Sequence, residues 1–431
     1  MEGNSISKNL NLNVRGLQPS ATLAINEQSN ALIAEGKQVY KLGLGQSPFP
    51  VPDRVAQALA DNSHQKDYLP VKGLWELREA VAGHNLRYEE APSRPQDVLI
   101  GPGSKELIFI LQLVYYGDLI IPTPGWVSYS PQARIVGRHV HRVRTKAINQ
   151  WKLMPEQLEL LCRADPDHPR VVILNYPSNP TGCTYSEADL EHLAAVARKY
   201  KIVLISDEIY GLLHHEGKHK SIANFYPEGT IISSGLSKWC GAGGWRLGTF
   251  SFPENLHWLL DAMAIVASET YTATSAPIQY AAVSAFQGGE DIDHYLVQSR
   301  KVLKMLASFL TRRLQAMHLH VIPPDGAFYL YPDFNFYRDA LAQRGIRTSV
   351  ELCQAILRDT GIAMLPGFDF GQLPDELLVR MAYVDFEGAD ALQAIESFPW
   401  VEGNEEAFAK QHAPKLVSAM EVLQQWLNSI L

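Results

Sequence analysis

The stretch RVVILNYPSNPTG, residues 170–182, decides how this chain is built. Its Val-Val-Ile-Leu run suits a strand covered on both faces, and the Pro- and Gly-bounded loop behind it ends that strand. The same grammar recurs in DVLIG (97–101), DLIIP (118–122), IVLISDE (202–208) and GTIISSG (229–235). Helical patterns stand between these runs, among them SKELIFILQLVYY (104–116) and SEADLEHLAAVARKY (186–200). Short buried strands alternating with helices predict an α/β architecture with a largely parallel sheet flanked by helices.

From about residue 310 the rhythm changes. HLHVIPP (318–324), GAFYLYP (326–332) and LLVRMAYV (377–384) read as strands, and the chain is expected to close with one long helix over 404–431. This predicts a smaller α+β domain over 310–431 beside a large domain over 53–309. Residues 1–52 form an N-terminal segment expected to pack with the smaller unit.

The bulk numbers exclude several classes. The chain has 431 residues, 46% hydrophobic and 19% charged, an ordinary globular composition. Its net charge of -8 and lack of a basic block argue against nucleic acid as a partner. No apolar run approaches the roughly 20 residues needed to cross a bilayer, and the polar N-terminus carries no secretory pattern. Four scattered cysteines form no CxxC pair, which disfavours a zinc-finger or disulfide framework and fits a cytoplasmic protein. No metal is expected at the functional site.

In open parallel sheets ligands sit at the carboxyl ends of strands, and those ends carry unusual residues here. Asn179 follows the first run. Asp207 and Tyr210 end the second, and Lys238 follows the third. Gly103, Ser104 and Lys105 open a helix whose free N–H groups suit a phosphate. Arg246 follows Lys238 in an otherwise nearly uncharged stretch, where an unpaired cation is costly. Each has a plainer reading: Asn179 as a turn former, Asp207 or Ser104 as a helix cap, Tyr210 and Trp126 as packing, Lys238 as a solvated surface residue. Their shared position at strand ends, in one order, favours a site.

The motifs NYPSNPTG, ISDEIY, GLSKWCGAGGWRLG, GPGSKELIF and PGWVSY carry a resemblance. PSATLAIN, DYLPVKGLWELREAV, PPDGAFYLYPDF, LPGFDFG and VRMAYV extend it. Together they resemble, in order from about residue 19 to about 398, the pyridoxal-phosphate aminotransferases of the aspartate aminotransferase family, fold type I. The resemblance is nearest the bacterial aspartate and prephenate branch. It implies pyridoxal 5'-phosphate as cofactor, amino acid and 2-oxo acid as substrates, a ping-pong cycle, and a homodimer with shared active sites.

The resemblance also assigns roles. Lys238 holds the cofactor aldehyde and moves the substrate proton. Asp207 pairs with the ring nitrogen, and Tyr210 and Asn179 hold the ring's phenolic oxygen. Trp126 stacks on the ring. Arg246, Ser104, Ser237 and the N–H groups of Gly103 and Ser104 take the phosphate, joined by Tyr68 from a partner subunit. Arg380, Asn179 and Gly45 face the substrate α-carboxylate, with Trp126 and Phe328 walling the pocket. Lys105 and Thr22 match residues that meet the distal carboxylate of a dicarboxylic substrate. Three departures stand out: Gly235 replaces a serine that touches phosphate in many relatives, the segment YYGDLIIPTPGW is shortened, which shifts Trp126 a little, and Gln46 replaces an acidic residue at the pocket mouth. A carbon–sulfur β-lyase on the same scaffold would use the same anchors. A cofactor-binding regulator would carry an added DNA-binding module, which the acidic charge does not suggest.

Overall fold

The computed structural model describes residues 9–399, 401 and 403–431. The first eight residues of the expected N-terminal segment lie outside the described residues. Numbered along the chain, the strands are β1 (Tyr40–Lys41), β2 (Val98–Gly101), β3 (Asp118–Thr123), β4 (Val140–Arg144), β5 (Arg170–Asn175) and β6 (Val203–Asp207). Then follow β7 (Thr230–Gly235), β8 (Gly248–Ser251), β9 (Tyr329–Leu330), β10 (Ile362–Ala363), β11 (Leu365–Pro366) and β12 (Val379–Ala382). Seven form one sheet in the order β2-β8-β7-β6-β5-β3-β4. β3 to β7 run parallel, and β8 runs antiparallel between β2 and β7.

Period-2 alternation explains why the sheet is buried on both faces. Val171 and Ile173 pack on one side with Leu107, Leu111 and Met263. Val172 and Leu174 pack on the other with Leu190, Leu193 and Leu204. The helix Glu187–Lys199 is started by Ser186, whose hydroxyl accepts from the Asp189 N–H while the Asp189 carboxylate reaches back. The fold is the mostly parallel α/β arrangement that the apolar runs imply.

β4 and β8 went unread in the sequence. β4 is a half-exposed edge strand, VHRVR, whose basic residues disguise it. β8 is four residues long and lies inside the glycine-rich stretch after Arg246.

Beyond residue 310 the elements are smaller. β9 and β11 flank β12, and β1 pairs with β10, tying residues 40–41 to 362–363. HLHVIPP is not a strand: only His320 bridges, to Asp333, because Pro323 and Pro324 have no N–H to donate. The expected terminal helix is two helices, Glu405–His412 and Pro414–Ile430. Pro414 cannot continue the first but suits the opening turn of the second.

Candidate active site

The carboxyl ends of β5, β6 and β7 open on a cavity of about 530 Å³, lined by Gly45, Gln46, Ser104, Lys105, Trp126, Tyr129, Asn175, Asn179, Asp207, Tyr210, Ser237, Lys238 and Arg246, with Leu23 at one side. The size suits a small ligand. Eleven of these were singled out from the sequence. Phe328 is buried behind them, its ring 5.5 Å from that of Tyr210.

Asp207, the last residue of β6, is almost fully buried. Burial pushes its carboxyl up to about 6, and the Tyr129 hydroxyl, donating to Oδ2 at 2.5 Å, works against that. The Ser233 hydroxyl lies 3.4 Å from Oδ1, and Asn175 Nδ2 donates to the Asp207 carbonyl at 2.9 Å. Asn175 Oδ1 in turn accepts from the Asn179 N–H at 2.8 Å.

Lys238 Nζ donates to the Gly45 carbonyl at 2.7 Å. Burial lowers its pKa to about 8, helped by Arg380 and Arg246. Gly45 has to be glycine: a Cβ there would come within 1.9 Å of the Tyr329 hydroxyl. That hydroxyl is 2.7 Å from the Tyr210 hydroxyl, and burial holds the Tyr210 phenol well above its ordinary range.

The Arg246 side of the cavity is built around glycine as well. Gly103 has φ +97°, and a Cβ on it would meet Arg246 Nη2 at 2.3 Å. Its N–H is occupied by the Gly101 carbonyl at 2.7 Å. The next residues, Ser104 and Lys105, open the helix Ser104–Val114, where N–H groups have no intrahelical partner. The Gly103 N–H, expected at the phosphate, is thus engaged within its own turn in this structure. Lys105 Nζ stands 5.2 Å over the Trp126 ring, and burial, then Arg246, lowers its pKa. Gly235 is explained by packing: a Cβ there would lie 2.6 Å from the Leu247 carbonyl oxygen of the adjacent β8.

Arg380 in β12 is fully buried. Nη1 donates to Asn179 Oδ1 at 3.2 Å and Nη2 to the Gly43 carbonyl. The guanidinium lies 4.9 Å over the Tyr329 ring and 5.2 Å over the Phe370 ring. Among the described residues no carboxylate pairs with it, and its Nε has no hydrogen-bond partner. Asp369 acts on the guanidinium only from beyond salt-bridge distance, so the buried fork keeps its donors for an anion.

Five expected residues do not line the cavity: Gly103, Phe328 and Arg380 lie behind lining residues, and Thr22 and Tyr68 stand further apart. Thr22 shares a hydrogen bond of 3.0 Å with Ser20, while its neighbour Leu23 reaches the cavity. Tyr68 is 93% exposed. Tyr129 and Asn175 were missed in the sequence, although each sits inside a quoted motif, PGWVSY and NYPSNPTG.

The arrangement fits pyridoxal phosphate. Lys238, Lys105 and Arg246 face one carboxylate, Asp207, across a cavity that ends at a helix N-terminus. Those surplus cations call for an anionic ligand, and the buried lysine with a lowered pKa supplies an amine for an aldehyde.

Comparison with known proteins agrees. Residues 37–395 match the family model for aminotransferase class I and II. An aspartate aminotransferase of Geobacillus stearothermophilus is 35% identical over 394 residues, 89% of this chain and 95% of the relative. An aspartate/prephenate aminotransferase of Thermus thermophilus is 30% identical over 401 residues, 92% of this chain and 99% of the relative. The structure of a Thermus thermophilus aspartate aminotransferase with maleate superposes with a TM-score of 0.80 at 29% identity, covering 94% of this chain and all of that one. A match of this extent, over a pocket with a buried lysine facing a buried aspartate, places the chain in the class I and II aminotransferases as a pyridoxal-phosphate-dependent transaminase of amino acids and 2-oxo acids.

Proposed function

We propose that the amino donor is a dicarboxylic amino acid of the aspartate or glutamate type and the acceptor the matching 2-oxo acid. The observation that carries this reading is a pair of cations, Lys105 on the cavity wall and Arg380 behind the lining residue Asn179. Arg380 is buried with no carboxylate at salt-bridge distance among the described residues, and its planar fork suits a bidentate α-carboxylate. Lys105 turns its ammonium over Trp126 on the cavity wall rather than into open solvent. There it would stabilise a second carboxylate and would be poorly compensated by an apolar side chain. Relatives named for aspartate, for aspartate and prephenate, and for asparagine with an oxo acid support a donor of this size.

The residue roles form part of the same proposal. Arg246, Ser104, Ser237 and the helix start hold the phosphate. Asp207 meets the ring nitrogen, Tyr210 and Asn179 the ring oxygen, and Trp126 the ring face. When bound, the cofactor supplies the electron sink that lets a bond at the substrate Cα be broken. Lys238 Nζ moves the proton at that carbon. A pKa near 8 leaves a useful fraction of the amine near neutrality, while the ammonium remains accessible as the acid. Asn179 ties the two halves of the pocket together, since its Oδ1 accepts from Arg380.

Tyr68 projects from its own chain, as a residue reaching a partner's phosphate would, which supports a homodimer with shared sites. Four free, buried cysteines fit a reducing cytoplasm. The division into residues 1–52, 53–309 and 310–431 is supported by the seven-stranded sheet lying within 98–251 and by the β1–β10 pairing. No observation favours carbon–sulfur elimination.

A screen of amino donors tests the substrate class, together with the kinetics of Lys105→Ala. kcat/KM for aspartate or glutamate should fall by about 1–3 kcal/mol of transition-state binding, with much less change for a neutral donor. Equal losses for both classes would assign Lys105 to the cofactor or the fold.

A further inference from the structure

At the opposite end of the parallel sheet from Lys238, β4, β3 and β5 begin side by side. The Leu119 N–H donates to the His139 carbonyl at 3.1 Å, and the Asp118 N–H to the Pro169 carbonyl at 3.0 Å. Asp118 is thereby held between His139 on one flank and the His168-Pro169 step on the other. His141 lies two residues beyond His139, and that spacing puts both side chains on one face of the edge strand.

Three imidazoles converge on one carboxylate oxygen. Asp118 Oδ2 is 2.8 Å from His141 Nε2, 3.2 Å from His168 Nε2 and 3.5 Å from His139 Nδ1. An oxygen with about two lone pairs cannot accept three well-aligned hydrogen bonds. His168 Nε2 is accordingly a buried nitrogen without a hydrogen-bond partner, despite its closeness to that oxygen. The donor atoms of Asp118, His139 and His141 all lie within 4.8 Å of one another. Ligands at the ~2.0–2.1 Å typical of tetrahedral zinc stand roughly 3.3 Å apart, so a cation could enter with small side-chain rotations. The rings of His139 and His141 are already packed edge to face, with centroids 4.4 Å apart. The nearby Arg138 guanidinium is taken up by the carbonyls of Gln112, Tyr115 and Gly117. A second carboxylate, Asp165, lies 3.7 Å from His168 Nδ1.

We propose that Asp118, His139 and His141 form a binding site for one divalent transition-metal ion of the zinc type, with water completing the shell and His168 Nε2, unpartnered without the ion, taking up the carboxylate hydrogen bond that His139 and His141 give up to the metal. Two imidazoles and one carboxylate select a borderline ion such as Zn²⁺ or Co²⁺ over Mg²⁺ or Ca²⁺. The site is structural rather than catalytic. It would fasten β4, the edge strand of the sheet, to β3 at the point where both begin.

The test uses tag-free holoenzyme washed with a chelator and titrated with Zn²⁺ by calorimetry and with Co²⁺ by visible spectroscopy. One ion should bind per chain, a cobalt spectrum of low coordination number should appear, and the thermal midpoint should rise on adding Zn²⁺. The His139→Asn/His141→Asn double variant should lose the saturable event and the cobalt spectrum while keeping full transaminase activity, which shows that it folds. His168→Asn should weaken binding by about 10–100-fold. Absence of saturable binding to the wild-type enzyme, or unchanged binding to the double variant, would overturn the proposal.

Discussion

Tyr129→Phe removes one hydroxyl and little else, which makes it a clean probe of Asp207. The phenol donates to Asp207 Oδ2 at 2.5 Å, and both groups are buried. A hydrogen bond to an ionised acceptor contributes about 1.5–3 kcal/mol, and one pKa unit corresponds to about 1.36 kcal/mol. Losing it should therefore raise the Asp207 pKa by roughly 1–2 units from its value of about 6. The sign follows from linkage. A carboxyl whose native pKa lies above its unfolded value weakens the fold as pH rises between the two, because the unfolded chain ionises first. For the cofactor-free wild type, that window runs from about 4 up to about 6 and costs roughly 3 kcal/mol. In the variant it extends to roughly 7–8. Urea unfolding of the cofactor-free protein across pH 5 to 8 reads this directly. At pH 5 Asp207 is mostly protonated in both native proteins, so the stability difference should be small. It should widen by about 1.5–3 kcal/mol by pH 8. A difference that stays flat across the range would show that the hydroxyl does not hold Asp207 in its ionised form.

Lys238→Ala should abolish transamination in single-turnover assays while preserving the fold; normal turnover would remove Lys238 from the chemistry. Arg380→Lys keeps the charge but loses the fork, so kcat/KM should fall by about 1.5–3 kcal/mol for every amino donor, in contrast to the selective effect of Lys105→Ala. Gly235→Ser restores the serine seen in many relatives, yet its Cβ would lie 2.6 Å from the Leu247 carbonyl, so denaturation should show a loss of about 1–3 kcal/mol rather than a gain. Light scattering should give a dimer, and mixing Lys238→Ala chains with Tyr68→Phe chains should regenerate one intact site per hybrid if Tyr68 acts across the interface. Activity equal to the sum of the two parents would place Tyr68 in its own site.

The parts of this molecule that sequence exposes are those where one residue type answers one physical demand. A strand covered on both faces is rich in consecutive apolar residues, so β5, β6 and β7 announce themselves by VVIL, VLI and II even though β6 and β7 carry polar residues at or near their ends. β4 alternates Val140, Arg142 and Arg144 on one face with His141 and Val143 on the other, so polar residues interrupt both faces and its pattern looks like a polar loop. Site residues follow the same division. Lys238 and Arg246 are conspicuous because cations are expensive in an apolar stretch. Tyr129 is not, because a tyrosine in a helix suits packing as well as it suits a hydrogen bond; only the approach of β6 to the helix Tyr129–Ile135 shows that its hydroxyl meets Asp207. Asn175 is hidden for a related reason: its two bonds, to the Asp207 carbonyl and the Asn179 N–H, join a strand end to the neighbouring strand and to its own loop. Charge can be read along a chain, whereas the partners that tune a charge are set by which strands become neighbours. The same rule explains Asp118, His139, His141 and His168, which are scattered in sequence and gathered only because β4, β3 and β5 start in register.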